Sequence, residues 1–300
     1  MISGIINVYK ENGFTSQDVV AKLRGIFHQK KIGHTGTLDP DAVGVLPVCL
    51  GNATKLCDML TDKNKTYIAV MRLGIVTDTL DLTGTVLEEN EVKVSKKEVE
   101  DAIMSFVGEY EQVPPMYSAL KVNGKKLYEL AREGITVERK ARLVNIFEIN
   151  ILEIKELEVT FEVKCSKGTY IRSLCDDIGA KLKCGACMKE LKRTKVSSFN
   201  IENSLKLSQI EELVKNEQIS EYICAVDSVF ENLDKATVKN KFEKLLSNGN
   251  QLVPEVFEEK LEIFNGKKIR VYFSNGDFAA IYIYKEDKEM FFPEKMFISQ

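Results

Sequence analysis

The sequence predicts an α+β protein in two parts, a larger domain with a mixed or antiparallel sheet followed by a small β-rich domain. Strand-like apolar runs are broken by isolated helical segments, unlike the regular strand–helix alternation of a parallel α/β sheet. Near the C terminus, Asn275-Gly276 stands between two alternating apolar runs, which is a strong hairpin signal. The 300 residues suffice for two domains, which we place at residues 1–232 and 233–300.

The elements of the first domain follow from capping signals and hydrophobic periodicity. Thr15 and Ser95 are each followed at the third position by an acidic residue, the spacing of a helix capping box. Apolar residues then recur at helical spacing, as at Val19, Val20 and Leu23. The predicted helices are 16–27, 96–106 and 172–182. The predicted strands are 4–8, 45–50, 65–73, 143–154 and 158–165, with an extended segment at 196–201.

In the second domain, the pattern predicts a short helix that ends at Asn248-Gly249. Two strands follow, at 267–273 and 278–284, on either side of the Asn-Gly turn. A small unit built mainly from such a hairpin is β-rich, and it contains no candidate catalytic motif.

Composition describes an ordinary globular protein, with 44% hydrophobic and 29% charged residues. No apolar run approaches the ~20 residues of a membrane helix, and the first nine residues lack the basic leader of a signal peptide. We therefore expect no membrane association and a cytoplasmic location. Seven cysteines, an odd number, disfavour a complete disulfide framework and indicate reduced thiols.

Basic residues are concentrated in two segments of a chain whose net charge is −3. Residues 116–142 contain seven basic and three acidic residues, and residues 181–195 contain six basic and one acidic. Composition alone favours two solvated helix faces. The other interpretation is a local basic surface that binds phosphates while the whole protein stays acidic.

Residues 33–47 are predicted to form a loop that carries chemistry. The breakers in this segment are Gly33, Gly36, Pro40, Gly44 and Pro47. So many breakers exclude a helix and a central strand, and long loops in compact domains are often functional. Asp39 stands before a proline, which favours extended backbone and can aim its carboxylate outward. On local chemistry alone, a turn begun by Asp39-Pro40 is the simpler interpretation.

Five segments, in this order, resemble motifs of the bacterial tRNA pseudouridine-55 synthases. They are 33–40 (GHTGTLDP), 65–67 (KTY), 115–121 (PMYSALK) with 124–128 (GKKLY), 165–172 (CSKGTYIR) and 191–194 (LKRT). One departure is visible, since the family usually has Lys-Pro-x-Gly near its start and this chain has Lys10-Glu11-Asn12-Gly13. The departure concerns a local turn and not the motif that contains Asp39.

The resemblance implies a fold and an activity. Residues 1–232 would form a pseudouridine synthase catalytic domain with an RNA-gripping insertion at 116–142, and residues 233–300 a PUA-like RNA-binding domain. The enzyme would isomerise uridine-55 in the TΨC loop, with the T stem-loop of tRNA as its partner. The resemblance implies no cofactor and no metal, and no obligate protein partner is evident.

The resemblance also implies roles for individual residues. Asp39 would be the nucleophile on a flipped-out uridine, and Arg172 would pair with it and hold it ionised. An arginine in the first turn of a helix opposes the helix dipole, which independently suggests that Arg172 points at another group such as a carboxylate. Attack at C6, attack at C1′ and deprotonation of the ribose all remain open for Asp39.

Tyr67 would stack on the target base, and His34 would enter the RNA where that base had been. The implied substrate-binding residues are His34, Tyr67, Tyr170 and Leu191. Without the resemblance, a tyrosine in a strand indicates packing, so both tyrosines would be interpreted as structural.

Other classes of protein are less well supported. Cys184 and Cys187 have the spacing of half a zinc site, but no second pair and no nearby histidine complete it. A hydrolase that used His34 as its base would lack a Gly-x-Ser-x-Gly nucleophile motif. A non-catalytic RNA-binding protein, in which Asp39 is a turn residue, would not require the set of Asp39, Tyr67 and Arg172.

Overall fold

The computed structural model of the protein describes residues 2–61, 63–122 and 124–298. The strands up to residue 232 are β1 (Gly4–Lys10), β2 (Ile32–His34), β3 (Val43–Leu50), β4 (Lys65–Leu73), β5 (Ile75–Thr77), β6 (Val86–Glu89), β7 (Gly108–Gln112), β8 (Lys121–Val122), β9 (Lys125–Lys126), β10 (Arg142–Lys155), β11 (Glu158–Cys165), β12 (Ala186–Val196), β13 (Phe199–Asn200) and β14 (Ile223–Cys224). The later strands are β15 (Asp234–Thr237), β16 (Lys268–Tyr272), β17 (Phe278–Lys285) and β18 (Met290–Met296). The α-helices are α1 (Ser16–Ile26), α2 (Cys57–Thr61), α3 (Lys96–Met104), α4 (Leu127–Arg132), α5 (Ile171–Leu182), α6 (Leu207–Lys215) and α7 (Glu243–Ser247). Short 3₁₀ helices lie at Gly51–Leu56, Ile201–Asn203, Ile219–Tyr222, Val226–Phe230, Asn240–Phe242, Pro254–Val256 and Glu286–Lys288.

A ten-stranded sheet organises the first part of the chain. Its main order is β14-β1-β3-β12-β4-β11-β10-β7, with β13 paired to β12 and β2 paired to β3. The one parallel pairing among its described strands joins β3 and β12, where Lys192 lies opposite Val43 and Arg193 opposite Gly44. The predicted α+β fold with a mixed sheet is confirmed, and five predicted strands appear as β1, β3, β4, β10 and β11.

The predicted starts of α1 and α3 are confirmed by their capping geometry. The Asp18 N–H donates to Thr15 Oγ1 at 3.0 Å, and the Thr15 N–H donates to Asp18 Oδ2 at 2.8 Å. The same reciprocal pair joins Ser95 and Glu98 ahead of α3. Each pair satisfies N–H groups that the first turn of a helix leaves without an intrahelical partner.

Helix α5 covers the centre of the sheet and so places the residues at its start. Its buried apolar stripe consists of Ile171, Leu174, Cys175 and Ile178, spaced by three or four residues. This stripe joins the largest hydrophobic cluster, which includes buried residues of β4, β11 and β12. Burial of that stripe directs the first turn of α5 to the edge of the cluster where the loop between β2 and β3 also lies.

The prediction of a loop throughout 33–47 was wrong at its two ends, and at the second end the competing prediction of a strand at 45–50 was right. Part of β2 lies within it, and β3, a central strand, runs through Pro47. On the side away from β1, β3 pairs with β12 only at its first two residues and with β2 only from Val48 onward. Between these two partners the Pro47 carbonyl accepts the Thr35 N–H at 3.2 Å. The nitrogen of Pro47 faces the same gap, where no neighbouring strand needs an N–H donor, so proline is tolerated.

The interpretation of 181–195 as a solvated helix face was also wrong for most of the segment. Helix α5 ends at Leu182, and Ala186–Val196 forms β12 between β3 and β4. Arg193 on this strand is only 1% exposed. This basic segment is therefore mostly a central strand, and one of its basic side chains, Arg193, is buried.

The C-terminal residues form a second sheet in the order β15-β16-β17-β18, with β15 parallel to β16. The predicted hairpin at 274–277 is confirmed by the antiparallel pairing of β16 with β17. Ile281 of this sheet and Phe297, which directly follows β18, pack against Ile5 and Val45 of the first sheet. Lys55 Nζ also donates to the Met296 carbonyl at 2.7 Å. Among the described residues, no helix has both the length and the apolar character to span a bilayer.

Candidate active site

The loop between β2 and β3 holds Asp39 between buried anchors. Leu38 and Ala42, on either side of it, are 4% and 2% exposed. The Leu38 N–H donates to Ser16 Oγ of α1 at 2.9 Å, and the Ala42 N–H donates to the Asp39 carbonyl at 3.1 Å. The Asp39 side chain is 38% exposed. The backbone is thus fixed while the carboxylate still reaches solvent.

Lys10, the last residue of β1, also fixes this loop. Its ammonium group donates to the carbonyls of Pro40 at 2.8 Å, Phe14 at 2.5 Å and Glu11 at 3.2 Å. Burial lowers the pKa of Lys10 to about 8. Gly13, in the turn that departs from the family pattern, has φ +82° and donates its N–H to Pro40 at 3.1 Å. The lysine and the glycine that this turn shares with the family pattern both contact the loop.

Arg172, in the first turn of α5, contacts Asp39 through two nitrogens. Its Nε lies 3.1 Å from Asp39 Oδ2, and its Nη2 lies 3.3 Å from Oδ1. Nη2 also donates to the Tyr117 carbonyl at 2.7 Å, and Nη1 donates to the Thr79 carbonyl at 3.1 Å. The side chain is 6% exposed. This forked contact, with the guanidinium held from behind by carbonyls, fixes the orientation of the carboxylate.

Asp81 is a second carboxylate beside Arg172, and the sequence argument missed it. Its Oδ2 lies 3.5 Å from Arg172 Nη1. Its Oδ1 accepts hydrogen bonds from the Thr79 hydroxyl at 2.7 Å and from the Thr83 N–H at 3.0 Å. The available signal was an acidic residue among threonines ahead of a glycine, which is also the composition of an ordinary turn.

Opposing influences act on the carboxyl of Asp39. Burial raises its pKa, and the negative charges of Asp81 and Asp41 act in the same direction. The Arg172 guanidinium and, more weakly, the Lys10 ammonium favour the ionised form. The net direction is upward, so burial outweighs the arginine. A carboxylate with a raised pKa is a stronger base and nucleophile than an ordinary aspartate.

Tyr67 and Arg193 form the floor of the site on adjacent strands. They are register partners across β4 and β12, and the Arg193 guanidinium lies within electrostatic range of the Tyr67 hydroxyl. Arg193 Nε also donates to the Val45 carbonyl at 2.7 Å, and its Nη2 lies 3.4 Å from the Gly36 carbonyl. Tyr67 is 7% exposed, and burial raises its pKa. Sequence reasoning did not single out Arg193, which ties β12 to the loop that holds Asp39.

The other predicted substrate residues surround this floor. Tyr170 immediately precedes α5 and is half-buried. Burial raises the pKa of Tyr170, and the Asp39 charge raises it further, as it does for Tyr67. Both hydroxyls therefore lie within electrostatic range of the carboxylate. Leu191 on β12 lies opposite Ala69 of β4 and packs on the same hydrophobic cluster as Tyr67.

His34 lies at the start of the loop, at the end of β2. The Gly36 N–H donates to its Nδ1 at 3.3 Å. Burial, and then the nearby Arg193 charge, lower the pKa of His34, so its imidazole is neutral at neutral pH. A neutral, half-buried ring can stack or pack against a base without carrying a charge into the site.

The insertion 116–142 contains β8, β9 and α4 and begins beside the site. Leu127 and Leu130 of α4 are buried beneath it. Lys126 and Arg132 both lie over the ring of Tyr128, at 5.3 and 5.4 Å from its centroid. The basic residues of this segment are thus displayed on a small folded hairpin and helix next to Arg172.

Cys184 and Cys187, considered as half a metal site, are 3% and 0% exposed. Within the described residues, no group of three or more histidine, cysteine or acidic side chains is placed to hold a metal ion. All seven cysteines are free thiols.

Comparisons with known proteins agree on one family. The model of the TruB family pseudouridylate synthase N-terminal domain matches residues 24–171, and that of the tRNA pseudouridylate synthase B C-terminal domain matches residues 172–236. A protein of Lachnoclostridium phytofermentans named tRNA pseudouridine synthase B is 56% identical, covering 99% of this chain and 100% of its own length. One of the same name from Clostridium novyi is 51% identical, covering 93% and 95%.

Solved structures show the same relationship. A chain in the structure of an H/ACA RNP bound to a substrate RNA containing 2′-deoxyuridine has a TM-score of 0.72 and 26% identity, covering 99% of this chain and 85% of that one. A chain of a Cbf5-Nop10-Gar1 complex also has a TM-score of 0.72, with 29% identity and coverage of 98% and 85%. With two matched family models and relatives more than half identical over their full length, the chain belongs to the TruB family of pseudouridylate synthases.

Proposed function

We propose that this protein is a tRNA pseudouridine synthase that isomerises uridine-55 in the TΨC loop. The forked contact of Arg172 with Asp39, at 3.1 and 3.3 Å, is the observation that carries the proposal. The reaction breaks the N1–C1′ bond of the uridine, turns the uracil and joins it again through C5. No water is consumed, which suits a carboxylate set among buried side chains.

Asp39 acts on the substrate, and Arg172 orients it. Attack at C6 of the base, attack at C1′ and removal of a ribose proton all need an ionised carboxylate at this point. The Arg172 guanidinium supplies the charge that favours ionisation, while burial makes the carboxylate more basic than usual. These two effects together give a carboxylate that is reactive and held in one orientation.

The target base must leave its stack to reach Asp39. Tyr67 stacks on the flipped base, and Tyr170 and Leu191 line the rest of the pocket. His34 enters the RNA and fills the space that the base leaves. What supports this arrangement is that both tyrosine hydroxyls lie in electrostatic range of Asp39 and that the neutral imidazole of His34 is at the start of the same loop.

The RNA is held mainly through its phosphates. Lys121, Lys125 and Arg132 of the insertion are exposed beside the site and grip the T stem-loop. Residues 1–232 form the catalytic domain, and residues 233–300 form a PUA-like module that binds RNA away from the target loop. The second sheet, whose first strand begins at Asp234, supports this boundary. A tRNA substrate places the enzyme in the cytoplasm, where it needs no obligate protein partner.

The direct test uses an unmodified T stem-loop RNA carrying tritium at C5 of its uridines. Isomerisation replaces the C5–H bond by C5–C1′, so tritium must appear in water. We expect release by the wild-type protein, none with Asp39→Asn, and none when uridine-55 is replaced by cytidine. Release that persists with the cytidine substrate would reject the assigned position, and absence of release from any tRNA would reject the activity.

A further inference from the structure

Gln112 is a buried side chain close to Arg172 that has no part in the roles assigned above. It is the last residue of β7 and is 1% exposed. Its Oε1 accepts the Tyr170 N–H at 2.7 Å, and its Nε2 donates to the Tyr170 carbonyl at 2.9 Å. The Tyr110 hydroxyl lies 3.2 Å from the same Nε2. Because the oxygen and the nitrogen of the amide both have partners, the amide has one orientation.

These hydrogen bonds act where α5 begins. Tyr170 is the N-cap of α5, and its own side chain makes no capping bond. Its carbonyl also accepts the Leu174 N–H at 3.1 Å, the first hydrogen bond within the helix. The Gln112 amide therefore binds the N–H and the carbonyl of the residue from which the helix starts. Arg172 follows two residues later, so a displacement of Tyr170 displaces the guanidinium as well.

Neighbouring contacts show that the first turn of α5 rests on the segment that follows Gln112. Ser173 Oγ donates to the Val113 carbonyl at 2.9 Å, and Arg172 Nη2 donates to the Tyr117 carbonyl. Further along the helix, Tyr110 donates its hydroxyl hydrogen to Asp177. Of these contacts, the Gln112 amide is the one that holds the backbone of the N-cap.

We propose that Gln112 is a positioning residue whose amide sets the start of α5 and thereby places Arg172 beside Asp39. This inference rests on the function proposed above, since it is the geometry of the Asp39–Arg172 pair that the amide maintains. A misplacement of about 1 Å at a catalytic group can reduce a rate about 100-fold. Replacement of a purely structural glutamine would instead lower the stability of the fold and leave the rate at which bound RNA is isomerised unchanged.

The test replaces Gln112 by leucine, which is similar in length but removes all three hydrogen bonds. We expect the single-turnover rate of tritium release, at saturating enzyme, to fall about 10- to 100-fold. The dissociation constant for the T stem-loop should stay within about threefold of wild type, because the RNA-gripping insertion keeps its charges.

The pH–rate profile gives a readout that loss of stability alone does not move. Asp39 is faced by Arg172 from α5, Lys10 from β1, Asp81 from the β5–β6 connection and Asp41 from its own loop. Displacing Arg172 removes the strongest influence that favours ionisation of Asp39. The acid limb of the profile should therefore move to higher pH in Gln112→Leu.

Two further variants keep the test decisive. Tyr110→Phe removes the bond to Asp177 and one partner of the amide but leaves both Gln112–Tyr170 bonds; it should lose stability and keep the wild-type rate and acid limb. Gln112→Glu retains an acceptor for the Tyr170 N–H and loses the donor to its carbonyl, so it should be intermediate in rate, and it replaces the leucine variant if that one does not fold.

The outcomes separate the two claims. If the wild-type enzyme is active and both Gln112 variants match its rate and acid limb, the positioning role is wrong. If Tyr110→Phe loses as much rate as Gln112→Leu, general loosening of α5 explains the loss and the positioning role is again wrong. If the wild-type protein releases no tritium from any tRNA, the proposed function fails, and this inference fails with it.

Discussion

Replacing Arg172 by lysine tests whether the orientation of Asp39, and not only its neutralisation, supports the reaction. Arg172 uses three nitrogens to contact both oxygens of Asp39, the carbonyls of Thr79 and Tyr117, and Asp81. A lysine retains the positive charge, but its donors radiate from a single nitrogen. It cannot hold both oxygens of Asp39 and also reach two carbonyls on different segments.

The size of the effect follows from these contacts. Loss of one of the two charge-assisted hydrogen bonds to Asp39 costs about 1.5–3 kcal/mol. If that loss falls on the transition state, the rate drops by about 10- to 150-fold, since about 1.4 kcal/mol corresponds to a factor of ten. A carbonyl of Thr79 or Tyr117 left without its donor costs a further ~1–3 kcal/mol of folding free energy. Both losses are expected because Arg172 is nearly buried.

The rate is measured as single-turnover tritium release from the T stem-loop at saturating enzyme, and the folding free energy by urea denaturation. Arg72→Lys is the control, since Arg72 on β4 is a partly exposed arginine 3.7 Å from Glu158. We expect the control to change the rate by less than about twofold, because exposed ion pairs contribute about 0–1 kcal/mol. If Arg172→Lys retains a rate within about threefold of wild type, the forked contact does not orient Asp39 and the magnitude argument fails.

Asp39→Asn should fold, bind the stem-loop and lose isomerisation by several decades, because the amide is not an ionised nucleophile and the neighbouring Asp81 is held by Thr79 and Thr83; single-turnover release measures the loss, and a tenth of wild-type activity would contradict it. The folded-state pKa of Asp39 lies above the ordinary 3.8, so folding favours the protonated carboxyl. That carboxyl stabilises the fold at pH below about 3.8, and the stabilisation is lost as pH rises through the folded-state pKa. In urea titrations, the folding free energy of Asp39→Asn relative to wild type should therefore be more favourable at neutral pH than at pH ~4. Tyr67→Phe keeps the ring and removes the hydroxyl that lies in the field of Arg193; its rate should fall less than about tenfold, whereas a loss as large as that of Asp39→Asn would give the hydroxyl a chemical role. Joint replacement of Lys121 and Lys125 by glutamine should raise the dissociation constant for the RNA without changing the rate at which bound RNA is isomerised. The slope of log affinity against log salt should become shallower by about 0.7–0.9 for each phosphate that the variant no longer neutralises. An unchanged slope would show that these lysines are not part of the RNA interface.

Elements with strong local signals could be predicted from the sequence. The capping boxes at Thr15 and Ser95 determine where α1 and α3 begin because they satisfy N–H groups within a few residues. The alternation from Lys65 to Leu73 gives β4 because every second side chain faces the interior, as the structure shows. In each case the decisive interaction or periodicity lies within the segment itself.

The predictions failed where distant partners decide the structure. Pro47 lies in a central strand because β12 and β2 leave a gap beside it, and the strand breakers in the sequence contain no information about that gap. Strand β12 was missed because its basic residues suggested a surface. It is held by β4 along its length, and it carries a buried arginine whose hydrogen-bond partners are the carbonyls of Gly36, Thr37 and Val45.

The residues of the candidate site also fall into two groups, those that the sequence indicated and those that only the structure identifies. Asp39, Tyr67 and Arg172 stand in recognisable motifs, so the sequence indicated them even though the chain brings them together only in the fold. Asp81 stands in no such motif and has the local composition of a turn, so its approach to Arg172 across more than ninety residues could not be inferred. Gln112 is similar, because an isolated glutamine at a strand end carries no signal until its amide is seen on Tyr170.

The contacts behind Arg172 explain how the edge that faces Asp39 is selected. Nη1 is engaged by the Thr79 carbonyl and Asp81, and Nη2 by the Tyr117 carbonyl. With both terminal nitrogens held from behind, the Nε–Nη2 edge is the one left for Asp39, and a planar guanidinium then fixes the plane of the carboxylate. Arg172 therefore joins three segments through its contacts, namely the β5–β6 connection, the segment around Tyr117 and the loop that holds Asp39.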